Sequence, residues 1–431
     1  MDRNCTDRVK PLLPNIADPA AIAFSGGGDS TAMIHAAQDH PKISHAFIVD
    51  HALRGGSAAE AEAAAKLAQS YGYKTRIMRW QHDGVTTGIQ AKARVYRYTA
   101  LGQLCRALGI KHLLTAHTED DQAETLLMRL ERQTGWRGLA GMPEEAYAAL
   151  WPGLAGVTLH RPWLNLSRGE LRAYNAQHNL TFIDDPSNQN TDFTRIRARQ
   201  ALAADPALRS DLLSQQKEMR ARLTAERQVH GLWLTQHAKI TAQNYVETDA
   251  VPPAELLLHI LNCVSGRGGP IDAAKRARLC REMESPDFKS ATLGGAWVVR
   301  KTRGSEVGSG HGFVFLRDRV AVTGREVTAR LKPVTLKKDS LTLWDGRFLC
   351  RAKTDDMRIQ LASGHLQRLR QLPEFKPLFD IPKEVRESLP IFFHDDEPIA
   401  FGACDTEYLV SRATSASRLQ ALFKKVPPVS I

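Results

Sequence analysis

The first half of this 431-residue chain is built around the stretch Ala21-Ile-Ala-Phe-Ser-Gly-Gly-Gly-Asp-Ser-Thr31. Its apolar start predicts a short buried strand over 21–24, and residues 31–38 are typical of a helix. The turn between them consists of Ser25, Gly26, Gly27, Gly28, Asp29 and Ser30. Glycines let backbone N–H groups approach an anion, and a helix N-terminus favours negative charge. The stretch therefore predicts a phosphate-binding turn.

The spacing within this turn excludes two familiar nucleotide-binding motifs. No Gly-Lys-Ser/Thr follows the glycines, so the turn is not a Walker loop. The Gly-x-Gly-x-x-Gly spacing of dinucleotide-binding proteins is absent as well. Asp29 places a carboxylate beside the expected phosphate. A bridging Mg²⁺ or a structural role as a cap on the turn would account for it.

The charge balance of the chain suits an anionic partner. The formal net charge is +11 and the sequence pI is about 9.4, while 43% of residues are hydrophobic and 24% are charged. These fractions are ordinary for a globular protein, and the length is enough for two or three domains. The positive charge favours RNA as a partner without identifying it.

The cysteines and the apolar runs predict an intracellular protein. Six scattered cysteines form no Cys-x-x-Cys pair, which disfavours zinc and iron–sulfur sites. The N-terminus lacks the apolar core of a signal peptide, and no apolar run reaches the ~20 residues that span a bilayer. We therefore expect a cytoplasmic protein with no membrane partner.

Strands alternate with helices through the first 200 residues. The predicted strands cover 21–24, 44–49, 74–80 and 111–116, and the predicted helices between them cover 57–71 and 89–108. This alternation predicts an α/β fold with a doubly wound parallel sheet. Polar residues that follow strands in such a sheet point into its ligand crevice. Candidate site residues are therefore Asp50, His51 and Arg54 after the second strand, with Arg94 and Arg97 on the long helix.

A second candidate site is the acidic stretch His117-Thr-Glu-Asp-Asp-Gln-Ala-Glu-Thr125. Thr118 and Asp121 have the spacing of a helix capping box, and acidic residues suit the first turn of a helix. That interpretation does not explain why Asp120, Asp121 and Glu124 crowd together beside His117. Clustered carboxylates repel one another unless a cation lies among them. Mg²⁺ or a substrate ammonium would fill that role.

Three further segments complete the predicted catalytic domain. Residues 135–142 predict a glycine-rich loop, and Ser167-Arg-Gly-Glu170 predicts a capped helix over 167–179. Arg195, Arg197 and Arg199 lie close together on a predicted helix. They suit RNA phosphates, although a solvated face explains them equally well.

The second half of the chain carries no chemical motif. We predict three domains: a catalytic domain over 1–205, a helical linker domain over 206–318 that contacts RNA, and a small α+β domain over 319–431 that we expect to bind RNA as well. A basic stripe of Lys275, Arg278 and Arg281 suits RNA. The composition by itself leaves open whether the C-terminal regions bind RNA, have a structural role or form a homodimer.

Six blocks in order carry a family resemblance. They lie at 25–30, 50–54, 117–125, 138–142, 161–164 and within 184–199. The first block resembles the PP-loop of N-type ATP pyrophosphatases, and the six together resemble the tRNA(Ile)-lysidine synthetase family. The resemblance covers most of residues 20–200, and a looser likeness extends over 375–402.

The resemblance implies an ATP-dependent ligase that acts on isoleucine tRNA with a CAU anticodon. AMP would be transferred to O2 of the wobble cytidine, and the ε-amine of L-lysine would attack C2 and release AMP. The implied cofactors are ATP, held by residues 25–30, and Mg²⁺, held by Asp29 and Asp121. Catalytic roles fall on Asp29, Asp50 and Asp121. Contacts to lysine or tRNA are expected from His51, Arg54, Arg94, Arg97, His117, Asp120, Glu124, Arg195 and Arg197.

Two alternatives use the same PP-loop. A tRNA thiolation enzyme that works through a redox or cluster mechanism needs a cysteine pair, and only Cys105 lies near the predicted site. A non-catalytic RNA-binding PP-loop protein does not need the intact Asp29, Ser30 and acidic stretch. Both alternatives are disfavoured by the residues present.

Overall fold

A computed structural model describes residues 9–82, 88–183, 194–301, 311–323 and 331–423. The chain divides into two compact units. The first comprises Met1–Ala149 and Gly156–Ala225, and the second comprises Leu150–Ala155 and Glu226–Ile431. The division into three domains, with boundaries after 205 and 318, stays a prediction.

The first unit contains a six-stranded sheet with the order β3-β2-β1-β4-β6-β5. Its strands are β1 Ala20–Ala23, β2 Ile43–Asp50, β3 Lys74–Arg79, β4 His112–Leu114, β5 Glu145–Tyr147 and β6 Thr158–His160. All neighbours pair in parallel except β5 and β6, which are antiparallel. The predicted doubly wound parallel sheet is therefore confirmed, with β5 as an antiparallel edge strand that the sequence analysis missed.

Helices connect these strands and cover the sheet. They are α1 Gly28–Ala36, α2 Ser57–Ser70, α3 Ile89–Ala107, α4 Glu119–Glu131, α5 Trp136–Leu139, α6 Arg168–Gln177, α7 Thr194–Ala204 and α8 Pro206–His237. A core of small and apolar side chains from β1, α1 and α2 holds α1 and α2 against the sheet. Because alanine dominates these surfaces, helix and strand backbones approach closely and the turn after β1 is fixed between packed elements.

The strand order places the candidate site. The strand β1 has β2 on one side and β4 on the other, so the connections leave its end in opposite directions. Ligands of open α/β sheets bind in the crevice at such a point, beyond the carboxyl ends of the strands. The turn 25–30 follows β1, Asp50 ends β2, and His117 follows β4.

One prediction in the first unit needs correction, and another concerns residues that the structure does not describe. The segment 135–142, predicted as a loop without a helix, contains the single helical turn α5. The backbone makes a tight turn here, in which Gly138 N–H donates to Gly135 O at 2.7 Å. Residues 184–193, which include the start of the sixth block of the resemblance, lie outside the described residues.

The second unit combines helices with three antiparallel sheets. The five-stranded sheet has the order β7-β8-β11-β10-β9, and two four-stranded sheets have the orders β12-β15-β16-β17 and β13-β14-β19-β18. The strands of the first are β7 Ala238–Ile240, β8 Val246–Thr248, β9 Ser290–Leu293, β10 Ala296–Arg300 and β11 Phe313–Arg317. The others are β12 Val334–Leu336, β13 Leu341–Trp344, β14 Phe348–Ala352, β15 Met357–Leu361, β16 Pro390–His394, β17 Glu397–Phe401, β18 Cys404–Asp405 and β19 Leu409–Ala413.

The helices of this unit are mostly short. They are α9 Ala254–Ser265, α10 Ala273–Glu284, α11 Val320–Thr323, α12 Leu366–Leu369, α13 Lys376–Phe379, α14 Lys383–Arg386 and α15 Ser415–Leu422. Among the described residues, 3₁₀ turns lie at Lys10–Leu12 in the first unit and at Ala362–Gly364 and Pro373–Phe375 in the second. The segment 206–318, predicted as a helical domain, thus also carries a sheet, because β7 and β8 pair with β11 to cover the apolar face of α9.

Among the described residues, no helix is both long and apolar enough to cross a bilayer.

Candidate active site

The turn after β1 is held by hydroxyl groups. Ser25 Oγ lies 3.1 Å from Ser30 Oγ, and Ser30 Oγ donates to Gly27 O at 2.9 Å. Gly27 N–H donates to Ser25 Oγ at 3.4 Å. These contacts fold residues 25–30 around the first turn of α1. The amides at the start of a helix have no partner within the helix, which suits them to bind an anion.

Gly26 is required at its position for two reasons. Its φ of +83° lies in the left-handed region, which side chains with a Cβ rarely adopt. A Cβ there would also lie 2.9 Å from Ile183 Cδ1. Ile183 N–H donates to Gly26 O at 2.9 Å, so Ile183 packs directly on the turn.

A cavity of about 630 Å³ opens beside the turn. It lies between the ends of β1 and β2, and its volume is in the range of small-molecule sites. Its walls combine apolar and polar groups, among them Phe24, Ser25, Asp50, His51, Arg54 and Arg97. The cavity brings together the phosphate-binding turn and the predicted site residues that follow β2.

Asp50 and His51 are fixed at the cavity wall. Asp50 is 4% exposed, and its Oδ1 accepts from Ala52 N–H at 2.8 Å. His51 Nε2 accepts from Arg97 Nη2 at 2.9 Å. Burial lowers the pKa of His51 to about 4, and the charge of Arg97 adds to the effect. The imidazole is therefore neutral at neutral pH and orients Arg97.

Arg54 lies at the rim of the same cavity. Its Nη2 lies 2.7 Å from Glu60 Oε2, and both side chains are partly exposed. An exposed ion pair of this kind contributes little to stability, so Arg54 can exchange this partner for an anionic ligand at small cost.

The acidic stretch begins α4 with the predicted capping box. Asp121 N–H donates to Thr118 Oγ1 at 3.4 Å, and Thr118 N–H donates to Asp121 Oδ2 at 2.9 Å. The capping interpretation is thus confirmed. It accounts for one oxygen of Asp121 and leaves the crowding of Asp120, Asp121 and Glu124 to be explained.

The cation among these carboxylates is Arg168, the first residue of α6, which the sequence analysis passed over. Its guanidinium lies 3.5 Å from Asp29, 3.2 Å from Asp121 and 3.4 Å from Glu124. Its backbone N–H donates to Asp120 Oδ2 at 2.7 Å. One arginine therefore joins the carboxylate of the phosphate-binding turn to the acidic stretch. The only signal in the sequence was the capping box that starts α6 one residue earlier.

Two arginines of α7 complete the neutralisation. Arg195 lies 2.8 Å from Glu124 and 2.9 Å from Asp121, and Arg199 lies 2.8 Å from Glu124. Glu124 is 1% exposed and receives three guanidinium groups. The expected role of Arg195 and Arg197 toward lysine or RNA phosphates stays a prediction. Arg197 is exposed, and Arg195 and Arg199 face carboxylates in the structure.

The shifts of the carboxyl pKa values differ across this network. Burial raises the pKa of Asp29 to about 6, because the single ion pair with Arg168 does not compensate for lost hydration. Burial also raises the pKa of Asp121, but the charge of Arg195, the hydrogen bond from Thr118 N–H and the charge of Arg168 outweigh it and hold that pKa below its ordinary value. Asp29 is thus the carboxylate whose charge is least satisfied by the protein.

His117 is neutral in this environment. Its Nδ1 lies 2.8 Å from Thr115 Oγ1. Burial lowers its pKa to about 3. The carboxylate of Asp121 opposes this shift, and the positive charges of Arg161, Arg195 and Arg94 add to it. A neutral imidazole can hold a hydrogen bond to a substrate but adds no positive charge.

A second cavity, of about 280 Å³, lies against the acidic stretch. Two carboxylates, Asp120 and Glu124, and two guanidiniums, Arg199 and Arg209, contribute its polar lining. Its apolar lining comes from Ala123, Leu202, Ala203 and Pro206. Arg209 lies 3.6 Å from Asp120, and its Nε and Nη2 are buried without a hydrogen bond within the described part of the chain. The cavity therefore offers both charges together with an apolar wall.

A metal site made by the protein alone is not evident. The described residues contain no group of three or more His, Cys, Asp or Glu side chains arranged for a metal ion. Mg²⁺ keeps several waters and commonly uses one or two carboxylates with substrate phosphates, and Asp29 fits that mode. The assignment of Asp29 and Asp121 as magnesium ligands stays a prediction, and Arg168 now stands between the two.

Comparisons with known proteins agree with this geometry. The model of the ATP_bind_3 family, a PP-loop domain, matches residues 1–205. A tRNA(Ile)-lysidine synthase of Hyphomonas neptunium is 34% identical over 293 residues, covering 66% of this chain and 79% of the relative. One of Wolbachia pipientis wMel is 28% identical over 401 residues, covering 88% of each chain. One of Rhodopseudomonas palustris is 42% identical over 194 residues, covering 43% of this chain and 54% of the relative.

Among solved structures, the U34-tRNA thiolase NcsA from Methanococcus maripaludis aligns with a TM-score of 0.42 and 16% identity, covering 50% of this chain and 78% of that one. The curated relatives match at higher identity, and two of them match well beyond the PP-loop domain. Together with the glycine turn and the capped acidic helix, the matches to the curated relatives show that the chain belongs to the tRNA(Ile)-lysidine synthase family.

Proposed function

We propose that the chain uses ATP to activate the wobble cytidine of isoleucine tRNA with a CAU anticodon and then joins L-lysine to it. Cytosine O2 is a poor leaving group, and transfer of AMP to that oxygen makes it a good one. The lysine ε-amine then attacks C2, AMP leaves, and lysidine is formed. The observation that carries this proposal is that Arg168 joins Asp29 of the phosphate-binding turn to Asp121 of the acidic stretch, and each of these two segments has a cavity beside it.

ATP is assigned to the larger cavity. The amides and hydroxyls of residues 25–30 face its phosphates, and the walls formed by Phe24 and the end of β2 provide an apolar face for adenine. Mg²⁺ would be held by Asp29 and phosphate oxygens, and would offset the charge that develops as pyrophosphate leaves. With a pKa of about 6, Asp29 is mostly ionised at neutral pH, as this role requires.

Lysine is assigned to the smaller cavity. A free amino acid carries an ammonium and a carboxylate on one carbon, and the cavity offers Asp120 for the first and Arg209 for the second. The apolar side chains of Leu202 and Pro206 suit the methylene chain. Asp121 and Glu124 form ion pairs with guanidinium groups, and we assign them the structural role of fixing the elements around the cavity.

The ε-amine must lose a proton before it attacks, because an ammonium is not a nucleophile. Asp121 is a weak acceptor, since its pKa is lowered and its oxygens already receive Arg168 and Arg195. Asp29 and Asp50 are the carboxylates left for this step. ATP and tRNA are the substrates, so we place the reaction in the cytoplasm. A homodimer stays a prediction.

The experiment that tests the proposal is incorporation of radiolabelled lysine into an isoleucine tRNA transcript with a CAU anticodon. We expect label in the tRNA only when ATP is present, with AMP and pyrophosphate released in equal amounts. A transcript with uridine at the wobble position is the matched control and should stay unlabelled. Absence of label from both transcripts, with ATP hydrolysed, would contradict the proposal.

Replacement of Cys105 by serine should leave lysine incorporation within about two-fold of wild type. Burial raises the pKa of this thiol to about 12, so it is neither a thiolate nor accessible. The measurement is the initial rate of AMP release together with a melting curve. A folded variant without activity would restore the sulfur-transfer alternative.

Asp120→Asn should raise the KM for lysine roughly ten- to a hundred-fold, the worth of one charge-assisted contact. The amide oxygen of asparagine can still accept from Arg168 N–H, so the fold should be retained. Asp211→Asn, an exposed site on α8, is the matched control. The measurement is the lysine dependence of AMP release. An unchanged KM for lysine would contradict the assignment of lysine to this cavity.

A further inference from the structure

A cluster of arginines near the candidate active site lacks the internal counter-charges that the acidic stretch has. Its members are Arg94 on α3, Arg129 on α4 and Arg161 just after β6. In the described part of the chain, none of the three forms an ion pair with a carboxylate. Arg129 and Arg161 donate hydrogen bonds to backbone carbonyls, and Arg94 lies over the ring of Tyr98. This differs from Arg168, Arg195 and Arg199, which each face at least one carboxylate.

Tyr98 brings two of these cations together. The Arg94 guanidinium carbon lies 5.0 Å from the centre of the Tyr98 ring, and the same side chain opposes the lowering of the Arg161 pKa by burial. Tyr98 is 2% exposed and Arg161 is 4% exposed. A buried aromatic residue therefore fixes one exposed and one buried guanidinium at the same place.

Arg129 and Arg161 both contact the segment that contains α5. Its Nη1 donates to Gly138 O at 2.6 Å, and Arg161 Nη1 donates to Pro143 O at 2.9 Å. Both guanidiniums are thus anchored on one short connection between α4 and β5. Anchored arginines lose little conformational freedom when they bind a ligand, which favours binding.

The positive charges of this cluster are not balanced by a negative charge from the described residues. Burial lowers the pKa of Arg161, and the charges of Arg94 and Arg129 oppose its protonated form further, while Tyr98 alone supports it. Burial likewise lowers the pKa of Arg129, with Arg94 adding to the effect. Arg161 Nε is also buried without a hydrogen-bond partner in the described residues. Converging like charges with an unused donor are costly unless an anion lies among them.

We propose that Arg94, Arg129 and Arg161 form an anion site that takes a phosphate group. Planar guanidiniums bind phosphate oxygens through paired N–H donors, which neither the neutral His117 nor Tyr98 can replace. Two of the three substrates of the proposed function, ATP and tRNA, carry phosphates, so the source of the group, RNA backbone or ATP, rests on that function. The anion site itself rests on the arginines.

The test compares Arg94→Gln with Arg76→Gln, an exposed arginine on β3 whose guanidinium donates to the carbonyl of Thr75. Arg161→Lys is the second variant, because it keeps the charge but loses the forked donors. Binding of the isoleucine tRNA transcript is measured by fluorescence anisotropy at several salt concentrations, without ATP or lysine. The KM for ATP is measured separately from pyrophosphate release.

We expect the dissociation constant for tRNA to rise about ten-fold in Arg94→Gln, with the salt slope reduced by about 0.7 for one lost contact to a single strand. Arg161→Lys should show the same direction. If instead only the KM for ATP rises by a similar factor, the anion site stands and its phosphate belongs to ATP. If both constants stay within about two-fold of Arg76→Gln in both variants, the anion site is refuted. Failure of wild-type lysine incorporation would refute the proposed function without affecting the binding measurement.

Discussion

Asp29→Asn is expected to abolish pyrophosphate release and, at the same time, to make the protein slightly more stable. The carboxylate lies on the phosphate-binding turn, with a side chain that is 27% exposed and a single ion pair at 3.5 Å. If Asp29 holds Mg²⁺ against the ATP phosphates, its loss removes a contact that strengthens as pyrophosphate leaves. We expect the rate to fall by at least about 10³-fold, the upper range for loss of one electrostatic stabiliser.

The gain in stability follows from the sign of the pKa shift. The folded state raises the pKa of Asp29 from 3.8 to about 6, so folding favours the protonated carboxyl. The stabilisation is complete below about pH 3.8 and is lost as the pH rises through about 6. Asparagine stays neutral at every pH. Above pH 6 the variant should therefore exceed wild type by about 1–3 kcal/mol in free energy of unfolding.

The measurements are pyrophosphate release at pH 7.5 and urea unfolding at several pH values between 4 and 8. Asp39→Asn, whose carboxylate is 79% exposed, is the matched control and should change neither quantity. A variant that keeps its pyrophosphate release would show that the turn does not use Asp29 for ATP. A variant that loses both activity and stability would show that Arg168 needs this carboxylate for folding.

The doubly wound sheet could be predicted because its signals are local. Buried strands of four to eight apolar residues alternate with helices, and polar residues stand where strands end. The same signals fail at β5, a three-residue edge strand with the sequence Glu145-Ala-Tyr147. Its pairing with β6 depends on tertiary contact and not on any apolar run.

Hairpins in the second unit show a different limit. The segments 341–351 and 391–402 are each two strands joined by a tight turn. Asp345-Gly346 and Asp395-Asp396 adopt positive φ at these turns. Asp-Gly is a strong hairpin signal and would have divided the first segment, whereas Asp-Asp is a weak one.

The candidate site was predictable as a set of carboxylates but not as a network. Crowded acids imply a cation, and the sequence analysis considered Mg²⁺ and an ammonium. The structure supplies Arg168 from 44 residues beyond Glu124, and Arg195 and Arg199 from farther still. No spacing rule connects residues so distant along the chain, because their proximity is created by the packing of α4, α6 and α7.

That network makes Glu124→Gln the most destabilising change we expect in the site. Glu124 is 1% exposed and receives Arg168, Arg195 and Arg199. Removing one member of a buried ion network leaves charge uncompensated and typically costs about 3–5 kcal/mol. The largest loss of charge compensation would be at Arg199, which faces Glu124, because Arg168 and Arg195 would keep their ion pairs with Asp121.

The measurement is urea unfolding, with Glu131→Gln at the exposed end of the same helix as the matched control. The control should change the free energy of unfolding by less than about 0.5 kcal/mol. The KM for lysine should be determined for folded Glu124→Gln well below its melting temperature. If Glu124 serves mainly to hold the three arginines, stability falls far more than lysine affinity does. If the variant melts like wild type and its KM for lysine rises ten-fold or more, the carboxylate binds the substrate directly. The guanidiniums would then have to release Glu124 when lysine enters.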